Sequence, residues 1–543
     1  MDPNKIVIPK ESKRWAFVVI SSRWFFILIL LLAGIVWYCY YATHTKEIPD
    51  SDDREYASIA RNIVNGKGIV RNSIYPADIN FFKKLPVPEF VHPPGYPLII
   101  AGFFKLFGIS DFVALLPSYL SYFILLILLF YFAKKYLDIK TAAIAAVIFI
   151  FNKEILDYSI TAFSEGAYTP FFFLFFTLLV KAKSLRMIFI AGLLLGISHL
   201  IRQNVYAFLV PSLVYLWFCP DLPRSKKMIF FVLGMLIPII PNIVRSYLET
   251  GSPFFSYGKF ALMAFTQKYP WLHIYRDIQN PSLFEFLIDE PGQFILKYWD
   301  NLVSAVGQIL SFSNPYLLAF FMVEMFYWKI NQEWKRIKIL FLFLLISQIL
   351  FTSLHIFVDR YLVPFLPIMI LFASQSFLRI AEDFVSRARI LWKKRVFFLT
   401  IFLFLIFFMV PSIYTILKPY KIPKTPQSGF LIPRRKAEAV NEFLKNELKG
   451  DQVVWTDFPE ILEWEGDRLC GWLPTRIEKI YEIHKRIPVD AILLTSVHTP
   501  KYYYEEWMYL LFSTEQSLPR YRNVKLYKSS AVYAKLLIRD EAE

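Results

Sequence analysis

Long unbroken apolar stretches dominate the chain, near residues 24–42, 111–133, 141–157, 164–180, 186–201, 203–219, 228–245, 315–329, 338–355, 361–379 and 395–416. Most approach the ~20 residues that carry an α-helix across about 30 Å of hydrocarbon. The pattern predicts a polytopic α-helical membrane protein of about 11 spans. No small-residue cleavage site follows the first run, which reads as a retained anchor. After residue 416 the pattern changes. Helical periodicity at 435–449 (RKAEAVNEFLKNELK) and 475–486 alternates with short β-like runs at 452–457 (QVVWTD), 491–497 and 524–537. Mixed elements of these lengths predict a small soluble α/β domain. The chain therefore divides into a membrane domain, 1–416, and a C-terminal domain, 417–543.

Composition fits this division. Of 543 residues, 56% are hydrophobic and only 19% charged, too few charges to cover a soluble protein of this length. The net charge of +16 would point to nucleic acid in a soluble chain. Here the basic residues have another explanation. They fill the N-terminus (Lys5, Lys10, Lys13, Arg14, Arg23) and alternate connections: KKYLDIK (134–140), KAKSLR (181–186), RSKK (224–227), EWKRIK (333–338) and RARILWKKR (387–395). Cytoplasmic loops of membrane proteins collect Lys and Arg, so this side is the cytoplasm and no nucleic-acid partner is expected. An odd number of spans then puts the N-terminus inside the plasma (inner) membrane and the C-terminal domain outside. The outer side also receives the loop 43–110, the segment 153–165, a loop near 246–314 and the turn 355–360. The three cysteines, Cys39, Cys219 and Cys470, are far apart and form no CxxC, so neither a disulfide framework nor a zinc site follows. The C-terminal domain carries no P-loop and no nucleotide-binding glycine fingerprint.

The informative residues are charges that break the positive-inside pattern. Arg202 (HLIRQN), Arg245 (PNIVRSYLETGSPF) and Arg360 (HIFVDRYLVPF) each sit at the outer end of a predicted span. An isolated arginine there reaches the lipid headgroups. Three at one depth suit an anion, and guanidinium forks match phosphate oxygens two at a time. Carboxylates gather on the same side: Asp50, Asp52 and Asp53 after the first span, Asp157 and Glu165 around LDYSITAFSEGAY. Asp50 is accounted for as an acid at a helix N-terminus, since residues 54–65 look helical. A carboxylate facing a phosphate-binding cluster can deprotonate an acceptor hydroxyl while the cations hold the leaving phosphate.

These residues resemble a known group. SDDREYASIAR (Ser51–Arg61) is similar to the first outer-loop motif of the GT-C glycosyltransferases, in particular the protein O-mannosyltransferases and the lipid A aminoarabinose transferases (glycosyltransferase family 39-like). HPPGYPLIIAGFFKLFG (92–108), SEGAYTPFFFL (164–174), GLLLGISHLIRQN (192–204), RSYLETGSPF (245–254) and DRYLVPFLP (359–367) resemble later blocks in order. The resemblance implies a GT-C-like membrane fold and an inverting glycosyltransferase. The donor it implies is a polyprenyl-phosphate-linked sugar, embedded among membrane lipids. Asp52, four residues before Tyr56, takes the place of the catalytic base, and Asp53 stands beside it where the family usually has Glu. Asp53, Asp157 and Glu165 would orient Asp52, the acceptor or a bound cation. Arg202, Arg245 and Arg360, with His92 and His355, would hold the donor phosphate. No cofactor is fixed, and a divalent cation is left open. The acceptor is lipid A, another envelope glycan or a protein. Two other classes stay open beside the enzyme: a secondary transporter, and a non-catalytic envelope scaffold.

Overall fold

The computed structural model describes residues 23–44, 48, 51–219, 222–311, 314–328, 331–386, 393–418, 434–496, 505–513, 517–528 and 533–540. Asp50, the basic residues before Arg23, residues 387–392 of the basic run and the linker after Lys418 lie outside them. Among the described residues, six helices are long and apolar enough to cross a membrane: Trp24–Thr43, Asp111–Tyr136, Arg224–Thr250, Gln332–Leu354, Asp359–Ser386 and Arg395–Leu417. Two bent pairs raise this to eight if each is one span: Lys153–Ser159 with Ser164–Lys181 at 115°, and Pro291–Leu310 with Pro315–Phe326 at 103°. Three shorter apolar helices, Gly95–Phe107, Ile139–Ile150 and Leu185–Ile201, pack among them. The chain is a multi-pass membrane protein.

Against the expectation of about 11 continuous runs, two differences are local and physical. The run 141–157 breaks after Ile150, because Asn152 caps a new helix, Lys153–Ser159, by accepting from the Ile155 amide at 3.1 Å. The run 203–219 opens as a 3-10 helix, Gln203–Phe208, before Leu209–Phe218 continues it.

Close approach sets the packing of one central pair. Leu185–Ile201 lies so near Arg224–Thr250 that a Cβ on Gly192 would fall 2.1 Å from the Phe231 carbonyl oxygen, and one on Gly196 2.3 Å from that of Met235. The spacing GLLLG is the small-xxx-small arrangement that lets membrane helices meet backbone to backbone. At the opposite end of the bundle from the C-terminal domain, the fully buried Glu324 accepts from Lys338 at 2.7 Å, Arg379 at 3.0 Å and the Trp334 indole at 2.8 Å. That network ties Pro315–Phe326, Gln332–Leu354 and Leu366–Ser386 together.

The strands are short: β1 Val70–Arg71, β2 Ser73–Ile74, β3 Val87–Pro88, β4 Val454–Thr456, β5 Cys470–Trp472, β6 Ala491–Thr495, β7 Tyr521–Lys528 and β8 Tyr533–Arg539. β1 pairs with β3, and the rest form one six-stranded sheet in the order β2-β5-β4-β6-β8-β7. β2, β5, β4 and β6 are parallel to one another, while β8 and β7 are antiparallel additions. The expected run 524–537 is a hairpin of two strands, and the expected helix 475–486 shortens to Lys479–His484. Two helices, Pro459–Gly466 and Glu505–Phe512, and the three-residue β5 were not foreseen. The sheet's edge strand β2 comes from the loop after the first span, with Ser73 opposite Cys470 and Ile74 opposite Gly471. Within that loop the fully buried Arg71 donates to both Asp78 carboxylate oxygens at 2.6 Å and lies 3.2 Å from Glu89. Burial opposes the Arg71 charge, but Asp78 and Glu89 outweigh it and push its pKa up. The loop is thus pinned from inside, and it presents the residues that follow in fixed positions.

Candidate active site

Four element ends converge on the side of the bundle that carries the C-terminal domain. Asp52 lies in the first turn of the helix Ser51–Val64, where an acid is favoured by the helix dipole. Glu165 occupies the first turn of Ser164–Lys181. Arg202 is the extended residue just after Leu185–Ile201, and Arg360 sits in the 3-10 turn Asp359–Phe365 that leads into Leu366–Ser386.

Their charged groups form one chain. The Arg360 guanidinium donates to Asp52 Oδ2 at 2.5 Å, and its Nε lies 3.2 Å from Glu165 Oε1. Arg202 Nη1 reaches the same Glu165 oxygen at 2.5 Å and donates to Ser164 Oγ at 2.9 Å. The Tyr56 hydroxyl donates to Ser164 Oγ at 3.4 Å. Aromatic faces cover both cations, Phe163 at 4.7 Å from the Arg360 guanidinium carbon and Tyr361 at 4.9 Å from that of Arg202. Glu165 is 1% exposed, whereas Asp52 is 28% and Arg360 21% exposed. So the carboxylate between the two arginines is sealed, and the Asp52–Arg360 pair is the part that faces outward.

Asp52 is held ionised. Burial raises its pKa, but the charge of Arg360, then that of His92, and the Arg360 hydrogen bond outweigh it and leave it below the ordinary carboxylate value. One turn along the same helix, Glu55 goes the other way. Burial, then the charges of Glu460, Glu463, Asp52 and Glu89, push its carboxyl well above the usual range. Two carboxyls on one helix face are therefore driven apart, one suited to take a proton and one suited to keep it.

His92 belongs to the flank of this cluster. Its ring meets Tyr56 edge-on at 4.7 Å, its Nδ1 lies 3.4 Å from Glu55 Oε2, and its backbone amide donates to Glu89 Oε1 at 2.6 Å. The Tyr75 hydroxyl donates to the other Glu55 oxygen at 3.3 Å.

The other expected residues lie elsewhere. Arg245 donates to the Glu89 carbonyl at 2.7 Å and covers Phe90 at 4.2 Å, so it braces the loop beside His92 and does not join the other guanidinium groups. Asp157 pairs with Lys153 at 2.5 Å and accepts from the Tyr40 hydroxyl. His355 ends the helix Gln332–Leu354, its ring nitrogen 3.2 Å from the Phe351 carbonyl. Asp53 is fully buried on the inner side of its helix. Glu55 and Ser164 were not expected at the site. The three-residue spacing of Glu55 from Asp52 on a helix was the available sign. Among the described residues, no three His, Cys, Asp or Glu side chains come together in a metal-binding arrangement.

Comparison with known proteins bears on this arrangement. Residues 91–244 match the model of the dolichyl-phosphate-mannose-protein mannosyltransferase family. The crystal structure of ArnT from Cupriavidus metallidurans bound to undecaprenyl phosphate superimposes with a TM-score of 0.56 at 12% identity, covering 95% of this chain and 98% of that one. The apo state of the same protein gives 0.54 at 13% identity, covering 94% and 97%. The chain has the GT-C glycosyltransferase fold. A second GT-C structure, the Archaeoglobus fulgidus oligosaccharyltransferase in complex with Zn and sulfate, matches with a TM-score of 0.53 at 10% identity over 86% of this chain and 67% of that one. Among curated proteins no sequence matches. Within the GT-C fold seen here, His92, Asp157, Glu165 and Arg202 fall inside the family-matched segment, and Asp52 and Arg360 outside it.

Proposed function

We propose that the protein is an integral-membrane glycosyltransferase that moves a sugar from a polyprenyl-phosphate carrier to an acceptor hydroxyl or phosphate at the outer face of the membrane, with inversion at the anomeric carbon. The observation that carries the reading is the Asp52–Arg360–Glu165–Arg202 chain at the converging helix ends. Two features support a lipid-phosphate donor: the two guanidinium groups, and the undecaprenyl phosphate bound by the similar ArnT structure.

In this reading the donor phosphodiester approaches along the membrane and takes the outward side of Arg360. The phosphate then replaces Asp52 as the partner of that fork, while Glu165 keeps the rest of Arg360 and Arg202 in place. Released from Arg360, Asp52 becomes more basic. It accepts the proton of an acceptor hydroxyl as the acceptor oxygen bonds to the anomeric carbon. The bond from that carbon to the phosphate oxygen breaks, and polyprenyl phosphate leaves with its charge held by the arginines. Asp53, buried beside Asp52, would orient it, and His92 with Glu55 lines the acceptor side. A secondary transporter would carry its ionisable groups near the middle of the bundle. Here they gather at its end.

The test is sugar transfer by protein purified in detergent and supplied with a polyprenyl-phosphate sugar and, in turn, lipid A, envelope glycan and protein acceptors. Loss of donor with matching gain of glycosylated product supports the reading. Donor that stays intact with every acceptor class would remove it.

The orientation has its own check. In a cysteine-free background, Gly450→Cys is expected to react with a membrane-impermeant thiol reagent in intact spheroplasts, and Lys226→Cys only after lysis; both positions are exposed. The reverse labelling would turn the bundle over and put the site on the cytoplasmic face.

A further inference from the structure

The C-terminal domain packs its short helix Pro459–Gly466 against the helix Ser51–Val64, and Arg61 lies at the end of that contact. Arg61, in the last turn of Ser51–Val64, donates to the Trp464 carbonyl at 2.7 Å and to the Glu463 carbonyl. Those are among the final carbonyls of Pro459–Gly466, which have no partner inside their own helix. A cation at a helix C-terminus also meets the negative end of the dipole. The same guanidinium lies 3.1 Å from Asp467, the left-handed residue that ends the helix, and 5.0 Å from the centre of the Trp464 ring.

Neighbouring contacts fasten the joint on both sides. The Trp464 indole donates to Asp111 Oδ1 at 2.9 Å, at the start of the span Asp111–Tyr136, and stacks on Phe104 at 6.1 Å. Glu463 Oε1 accepts the Asn72 amide at 2.8 Å, and the Asn72 side chain bridges Asn62 at 3.1 Å and Asp467 at 3.2 Å. Arg61 is 11% exposed. The C-terminal domain therefore does not hang from its linker. Its helix end is plugged by a residue of the helix that bears Asp52.

We propose that Arg61 is a positioning residue for the active site, and that the C-terminal domain, through Pro459–Gly466, sets the tilt of Ser51–Val64 and so holds Asp52 against Arg360. The inference rests on the reading of Asp52 as the base. Arg61 lies nine positions from Asp52, about 13 Å along the axis at ~1.5 Å per residue, so it works as the far end of a lever. A small rotation at that end displaces the carboxylate, and displacement of a reacting group by about 1 Å is worth roughly 10²-fold in rate.

The experiment compares four full-length proteins in one detergent assay: wild type, Arg61→Ala, Arg468→Ala and Asp52→Asn. Arg468 is the control because it makes the same kind of contact entirely within the C-terminal domain, donating to the Lys449 and Leu448 carbonyls at 2.7 and 3.1 Å. Arg61→Ala is expected to lower kcat about tenfold or more with donor Kd within about twofold of wild type, because the arginines of the donor site are untouched. The acid limb of its pH–rate profile is expected to move upward, since Asp52 drawn away from Arg360 loses the charge that lowers its pKa. Arg468→Ala is expected to lose thermal stability while keeping kcat and the pH profile. Arg61→Lys, which retains the charge without the fork, is expected to fall between; it replaces Arg61→Ala if that variant does not fold. Wild-type kcat and pH profile in the Arg61 variants, or an equal loss of kcat in Arg468→Ala, would overturn the lever while Asp52→Asn remained inactive. Full activity of Asp52→Asn would instead remove the base assignment, and the lever with it.

Discussion

Asp52→Asn is expected to leave expression and folding intact and to cut the transfer rate by roughly 10²–10⁴, the range for loss of a positioned general base. The substitution preserves shape and hydrogen-bonding reach but removes the group proposed to accept the proton. Folding survives because the Asp52–Arg360 pair is more than a fifth exposed on each side, 28% and 21%, and such pairs contribute little to stability. Arg360 also keeps Glu165 and the face of Phe163. The sign of the pH effect follows from the direction of the shift. In the wild type the Asp52 pKa lies below its ordinary value, so the base is ionised through the neutral range and activity falls only as pH drops through that lowered value. Glu55 is shifted the opposite way, its carboxyl pushed upward by burial and by the charges of Glu460 and Glu463, and is the poorer candidate to replace Asp52 as an ionised base. The check is initial rate against pH for both proteins at donor well below saturation, where the profile reports the free enzyme. A rate equal to wild type would show that the proton leaves by another route.

Arg360→Ala carries the second largest effect, and it acts twice. A charge-assisted hydrogen bond to an ionised group is worth roughly 1.5–3 kcal/mol, so loss of the fork is expected to weaken donor binding by about 10- to 150-fold. The same change takes away the charge that depresses the Asp52 pKa, so the acid limb of the rate profile is expected to move to higher pH. Arg360→Lys is expected to recover part of the donor affinity, because an ammonium keeps the charge and loses the two-pronged geometry. Donor titration at fixed acceptor, run across a pH series, reads both effects. Donor affinity unchanged in Arg360→Ala would move the phosphate site away from this guanidinium.

Much of the site was legible because it is made of charges at the ends of apolar runs. Asp52, Glu165, Arg202 and Arg360 each stand where hydropathy says a helix ends, and a charge there needs a partner. Sequence could not say which partner. Arg245 looked equivalent to the other two arginines, yet its side chain turns to the Glu89 carbonyl. Asp157 was expected beside Glu165 to orient Asp52, the acceptor or a cation, but Lys153 one turn earlier and Tyr40 on the first span take it. Glu55 reads as an ordinary exposed helix acid until Glu460 and Glu463 of the C-terminal domain are seen to crowd it. The domain contact itself left no local trace. The β2–β5 pairing joins Ser73 to Cys470 and Ile74 to Gly471, partners from opposite ends of the chain, through strands of two and three residues, too short for any alternation to register. Arg61 sits inside the recognised motif, but its target is a pair of backbone carbonyls, which no side-chain pattern reveals.

The proposed reaction splits a polyprenyl-phosphate sugar at the Asp52–Arg360 end of this bundle. Phosphorus NMR of the purified protein mixed with such a donor and an envelope lipid acceptor follows that event directly, since the phosphodiester of the donor becomes the phosphomonoester of the released carrier. Steady conversion is expected of the wild type, and of Asp52→Asn donor binding without conversion. Conversion at the same rate by both proteins, or none by either while a sugar is carried across vesicles, would contradict it.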